Sequence, residues 1–176
     1  MITKNIKMRI KNYFFENPTV RLRVRAIERE TKSALPSVIR YTKELQEEEI
    51  LKKQLISNVT FFSANRSSKK YLLQKKQYNI ERIYSSGLLD FLIEQYSNPT
   101  IILFGSYSKG EDFEESDIDI YLQTENPKKS SINTYEKYLS KKIQLFQYKS
   151  LKQINNKELA NNIINGQILN GFLEVF

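Results

Sequence analysis

Ile2, Ile6, Ile10, Tyr13 and Phe14 recur at three- and four-residue spacing, which predicts a first helix closing near Asn17-Pro18. Leu22, Val24 and Ile27 predict a second, short helix through Arg29 and Glu30, then a turn over Thr31 to Ala34. Pro36 suits the first turn of a third helix, because its missing N–H has no intrahelical partner there. That helix shows Val38, Thr42 and Leu45 on one face, with Ile50 and Leu51 beyond the acidic run Glu47-Glu48-Glu49. From Lys52 to Phe62 the pattern becomes extended, with alternating apolar positions at Leu55, Val59 and Phe61 and a hairpin turn at Ser57-Asn58.

Lys70 to Asn79 is the expected connection to a second set of elements. Ile80, Ile83, Tyr84, Leu88, Phe91, Leu92 and Tyr96 predict one long helix that carries Gly87 in its middle and stops at Asn98-Pro99. Thr100 to Phe104 is a continuous apolar run, the pattern of a strand buried on both faces. Asp117 to Leu122 alternates polar and apolar and reads as a second strand. Ser130 to Leu139 is read as a helix with Ile132, Tyr135 and Leu139 on one side. Lys142 to Tyr148 alternates again, with Ile143 and Leu145 facing one way and Gln144, Phe146 and Tyr148 the other. Leu151 to Leu169 reads as mainly helical, with Leu159, Ile163 and Ile164 in the core.

Two helices, a short turn, a third helix and a two-stranded ribbon follow the order of a winged helix-turn-helix. Val24 to Thr31, Pro36 to Tyr41 and Leu45 to Leu51 resemble the corresponding segments of winged-helix transcription regulators. The resemblance implies that the third helix lies in a major groove of DNA. Ser37, Arg40, Tyr41 and Lys43 lie off its apolar face and are the candidate contacts. Arg40 suits a guanine edge, and Lys43 suits a phosphate. Arg21, Arg23 and Arg25 before it, and Arg66, Lys69 and Lys70 after the ribbon, are further candidates for phosphate.

Charge sharpens this division. The net charge is +8, yet residues 1–80 hold eighteen Lys/Arg against seven Asp/Glu, a balance of +11. Residues 81–176 hold ten against thirteen, a balance of −3. A basic segment facing a polyanion, joined to a segment of different purpose, is the simplest account. The 176 residues are 40% hydrophobic, enough for packed cores. They contain no Cys and no His. Thiolate catalysis, disulfides, Cys/His zinc sites and Ser-His-Asp triads are thereby excluded. Polar chemistry falls to carboxylates with a hard cation. The sequence has no run of 18 apolar residues, so neither a membrane span nor an uninterrupted signal-peptide core is expected, and the expected location is cytoplasmic.

The densest motif is Gly105-Ser106-Tyr107-Ser108-Lys109-Gly110 after the apolar strand, with ten residues between Ser106 and Asp117-Ile118-Asp119. Asp117 and Asp119, two apart on a strand, project from one face. Two carboxylates there repel unless a cation sits between them. Gly105 allows backbone to approach a phosphate. Ser106 opens a short helix whose N–H groups and hydroxyl suit phosphate oxygens, and Lys109 adds a positive charge.

The run GSYSKGEDFEESDID resembles the signature of the nucleotidyltransferase superfamily related to DNA polymerase beta, especially its minimal members. Ser116 stands where that pattern has Ser before the first Asp. The resemblance implies Mg²⁺ or Mn²⁺ held by Asp117 and Asp119. A nucleoside triphosphate would be held through Gly105, Ser106, Lys109 and Ser116, and its nucleotidyl group would pass to a hydroxyl of a protein, RNA or small molecule. Minimal members often act as antitoxins that modify a partner toxin, so a toxin-like protein partner is implied too. The family places a third carboxylate on the following strand; here Gln144 occupies that position. An amide cannot accept a proton at neutral pH.

The expected architecture is α+β in two domains. Residues 1–75 would form the winged helix-turn-helix, and residues 76–176 a nucleotidyltransferase fold with a small mixed sheet flanked by helices. The alternative function is a DNA-binding regulator whose second domain is weakly active or inactive because of Gln144. A transferase gripping RNA through its basic half, and a homodimer, stay open.

Overall fold

The computed structural model describes residues 2–174, with side chains from residue 6 onward; the Ile2 side chain lies outside the described residues. The chain divides into two compact units between Tyr78 and Asn79.

The first unit contains α1 (Ile2–Glu16), β1 (Arg21–Leu22), α2 (Val24–Thr31), α3 (Leu35–Glu47), β2 (Leu51–Ile56) and β3 (Val59–Ala64). α2 stops at Lys32, whose left-handed backbone (φ 47°) bends the chain into the turn before α3. Ile10, Phe14, Ile27, Val38, Leu45, Ile50 and Phe62 form the core. Thr42 is buried among them, and its hydroxyl donates to the Val38 carbonyl at 2.8 Å, so burial leaves that polar group satisfied.

Tyr41 departs from the sequence reading. It is 6% exposed and belongs to this core, so it is not a surface contact. The buried stripe of α3 is wide enough to take in Tyr41 beside Val38, Thr42 and Leu45.

Ser57 (φ 47°) and Asn58 (φ 62°) form the two-residue turn that joins β2 to β3, with Ile56 opposite Val59. Two positive φ values match the twist of paired strands. The sheet order is β1-β3-β2, with both pairings antiparallel. Its apolar phase differs from expectation: Leu55 is 68% exposed, while Leu51, Phe62 and Ala64 are buried. Burial here follows distance from the turn, because the core lies against the base of the hairpin and the tip projects into solvent.

α4 (Lys69–Ser85) replaces the expected connection over Lys70 to Asn79. The single helix expected over Ile80 to Tyr96 is also two elements, the end of α4 and α5 (Leu88–Gln95). Gly87 separates them in a left-handed conformation (φ 75°) that a side chain would resist. The helical period resumes after the break, which hides it from a periodicity argument.

The second unit continues with β4 (Thr100–Phe104), α6 (Gly105–Lys109), β5 (Ile118–Gln123), α7 (Asn133–Leu139), β6 (Ile143–Tyr148), a 3-10 turn at Leu151–Gln153, α8 (Lys157–Ile164) and β7 (Gln167–Asn170). α7 starts at Asn133, later than the expected Ser130. The expected helix over Leu151 to Leu169 is likewise corrected. The Asn156 side chain caps α8 by accepting from the Glu158 and Leu159 amides, and the chain then turns to pair β7 with β4. Ile163 is buried, but Ile164 is 43% exposed and does not belong to the core.

The sheet order is β6-β5-β4-β7. β4 is antiparallel to β5 and β7, whereas β5 and β6 are parallel. Alternation divides the strand residues between two layers. Ile101, Leu103, Ile118, Ile120 and Leu122 pack with Leu88, Leu89 and Leu92 of α5. Ile102, Phe104 and Tyr121 pack with Ile163 and with the partly buried Phe146, Tyr148 and Leu159. Asp119 and Gln144 share the parity of this second layer. The result is a small mixed sheet covered by helices. Among the described residues, no helix is long and apolar enough to cross a membrane.

Candidate functional site

β4 delivers the chain to Gly105, whose φ is 73°. The Ser108 hydroxyl donates to the Gly105 carbonyl at 2.8 Å, and left-handed Gly110 ends α6. Antiparallel register sets Phe104 opposite Asp119. A Cβ added to Gly105 would meet the Asp119 carboxylate, with its Cγ only 3.3 Å away. Glycine is needed here both for its backbone angle and for this close approach.

Asp117 stands just before β5, and Asp119 lies within it; both are half-buried. Burial, and secondarily the Asp117 charge, holds the Asp119 carboxyl above its ordinary range. In the parallel register Gln144 is the partner of Asp119. Its Nε2 donates a hydrogen bond to Asp117 Oδ2. Three side-chain positions therefore converge, two of them acidic and one a neutral amide. No group of three or more His, Cys, Asp or Glu that could hold a metal occurs among the described residues. Burial is the larger cause of the upward shift of Asp119, and the neighbouring Asp117 charge adds to it. A hard divalent cation with oxygen preference fits this donor set.

Gly105, Asp117, Asp119 and Gln144 are thus brought together. Ser106, half-buried, follows Gly105 directly, and Lys109 ends α6 with an exposed side chain. The Ser116 hydroxyl accepts from the Phe113 amide at 2.9 Å and closes the turn that leads into Asp117.

Sequence reasoning missed a buried polar group behind this turn. Asp112 is 2% exposed, and its Oδ1 accepts from Asn79 Nδ2 at 2.8 Å. The same Asn79 nitrogen donates to the Tyr107 carbonyl at 2.9 Å. Lys141 Nζ lies 3.5 Å from the other Asp112 oxygen. Asp112 stands in a run of four acids between Glu111 and Glu115, and Lys141 in a Lys-Lys pair, so composition alone suggests two solvated segments.

In the first unit, Arg40 and Lys43 are exposed on α3, Ser37 is half-buried, and Tyr41 is in the core. Arg40 Nε donates to Glu44 at 2.8 Å, and its guanidinium lies over the Tyr41 ring. Hydrogen bonds from Lys7 and then Arg40 hold the Glu44 carboxyl below its usual range. Arg21, Arg23 and Arg25 are exposed, with Arg23 over the Phe61 ring, and Lys70 is paired with Glu49 at 2.6 Å.

Residues 89–170 match the family described as polymerase beta, nucleotidyltransferase. Over 67 residues the chain is 39% identical to a protein of Methanocaldococcus jannaschii that is named as a protein adenylyltransferase. The match covers 34% of this chain and 67% of that protein. No solved structure matches the chain.

Proposed function

Because this chain belongs to the polymerase beta type of nucleotidyltransferases, we propose that it binds ATP with Mg²⁺ and transfers the adenylyl group slowly to a hydroxyl of a protein. The observation that carries this reading is the packing of Gly105 against Asp119, with Asp117 alongside and Gln144 opposite. The name of the archaeal relative supports ATP as donor and a protein as acceptor. The implied toxin-like partner is one such protein.

Asp117 and Asp119 are the residues to hold the cation, which would neutralise triphosphate charge and polarise the reacting phosphoryl group. Mn²⁺ suits the same oxygen ligands. Gly105 brings backbone close to the phosphates without a Cβ in the way. Ser106 offers a hydroxyl at the start of α6, and Lys109 and Ser116 would add contacts from either end of the connecting segment. In the transfer, an acceptor oxygen bonds to the α-phosphorus while the bond to pyrophosphate breaks. The hydroxyl proton passes to solvent, because Gln144 is no base and its N–H points to Asp117. Slow turnover follows from that arrangement.

Titration with ATP and Mg²⁺ tests this reading. Saturable binding is expected, with at least about tenfold weakening in Asp117→Asn, since one of two anionic ligands becomes neutral. Absence of nucleotide binding in the unaltered protein would overturn it.

The first unit is read as a winged helix-turn-helix that binds DNA. Support comes from the order α1, α2, α3 and hairpin, from exposed Arg40 and Lys43 on α3, and from the arginines around β1. Arg40 would exchange Glu44 for a base edge or phosphate, and Lys43 would meet phosphate. Lys43→Ala should weaken binding to every DNA sequence similarly and lower the log–log salt slope by about 0.9. Fluorescence anisotropy across a KCl series measures it, and an unchanged slope removes Lys43 from the interface. A second reading, a DNA-binding regulator whose nucleotide site only senses ATP, is favoured by Gln144 alone.

A further inference from the structure

Resting on the reading of Asp117 as a cation ligand, we infer that Lys141 is a positioning residue that fixes the segment carrying Asp117. Its ammonium group reaches under the turn before β5. Nζ donates to the carbonyls of Phe113, Glu114 (3.2 Å) and Ser116 (3.3 Å) and lies 3.5 Å from the Asp112 carboxylate. Its side chain is only 11% exposed and that of Asp112 only 2%. A lysine has three N–H donors, and this one directs them at the backbone immediately ahead of Asp117.

Surface loops are ordinarily mobile and held by few bonds. This one is tied at both ends: Asn79 grips Asp112 and Tyr107 at the start, and the Ser116 hydroxyl and Lys141 hold the finish. The adjoining backbone bond from the Ile118 amide to the Lys142 carbonyl, at 2.8 Å, sets Lys141 at the point where β6 begins beside β5. The strand that brings Gln144 to the carboxylates is therefore preceded by the residue that orients one of them. Lys141 contacts the backbone carbonyls ahead of Asp117 and the Asp112 carboxylate, and so acts through the segment that carries Asp117. Carbonyls gathered around an ammonium group also leave it a poor direct ligand for phosphate, because its donors are already engaged.

Lys141→Met removes the charge and keeps most of the stem. Mn²⁺ binding followed by electron paramagnetic resonance should weaken about tenfold or more, the usual effect of losing support behind a metal ligand. Hydrogen exchange should accelerate at the Ser116 amide while the β4 and β5 amides stay protected. Lys142→Met, at the exposed neighbour, should change neither. Lys141→Arg, which retains the charge and several donors, should recover at least part of the affinity. It also decides the matter if the methionine variant fails to fold. Affinity within twofold of the unaltered protein in folded Lys141→Met, or uniform acceleration of exchange across the sheet, overturns the inference. If the unaltered protein itself takes no Mn²⁺ and no nucleotide, the reading of the site fails first.

Discussion

Gln144→Asp is expected to increase the rate of adenylyl transfer about 100-fold, the lower range of what a positioned proton acceptor contributes. The side chain stands in register with Asp119 and its amide reaches Asp117, so an acid at this position faces the same two carboxylates. It replaces an N–H donor to Asp117 by a third negative charge. The variant should therefore melt at lower temperature than the unaltered protein in chelator and recover when Mg²⁺ is added. Pyrophosphate release measures the rate, and a melting curve at each Mg²⁺ concentration measures the linkage. Gln144→Ala separates the two causes: it removes the donor without supplying a base and should not accelerate transfer. If Gln144→Asp binds ATP as before and still releases no more pyrophosphate, the sensing reading takes precedence.

Gly105→Ala should abolish detectable nucleotide binding while costing about 1–2 kcal/mol of stability, the penalty for placing a side chain on left-handed backbone. The two effects arise from different properties of the position. Its φ of 73° accounts for the stability loss, and the Asp119 carboxylate over its Cα accounts for the binding loss. Gly87→Ala provides the comparison. Gly87 has nearly the same φ, 75°, but nothing lies within 4 Å of an added Cβ. That variant should lose similar stability and keep its affinity for ATP. Thermal melts paired with calorimetric titration test both, and a Gly105→Ala protein that binds as tightly as the unaltered one would detach Gly105 from the site.

What sequence made legible follows from how local each cause is. The short helices before Leu45 announce themselves by period, and Ser57-Asn58 by turn chemistry. Asp117 and Asp119 can be placed on one face because strand parity needs only counting, whereas Gln144 is tied to them through the family resemblance alone. The failures have non-local causes. Tyr41 is buried because packing around α3 covers more of its circumference than the apolar residues alone mark. β7 escapes a reading by pattern because four residues of edge strand carry too little of it to reveal that β4 lies beside them. Gly87 broke a helix whose period continued on its far side. Asp112 and Lys141 are the plainest case. Each sits among like charges in the sequence, and only the chain's return at the start of β6 brings the pair together out of water.

The sheet order gives the two strands that bear the site unequal freedom to vary. Asp119 belongs to β5, flanked on both sides by paired strands and wedged against Gly105, with Ile118 and Ile120 in the core beside it. Gln144 stands exposed on β6, at the margin of the sheet. A change of side chain at 144 meets few packing constraints, while position 119 is constrained by architecture as well as chemistry. On the proposed function, the position that decides proton transfer is thus open to exchange, and the one that would hold the cation is built into the sheet.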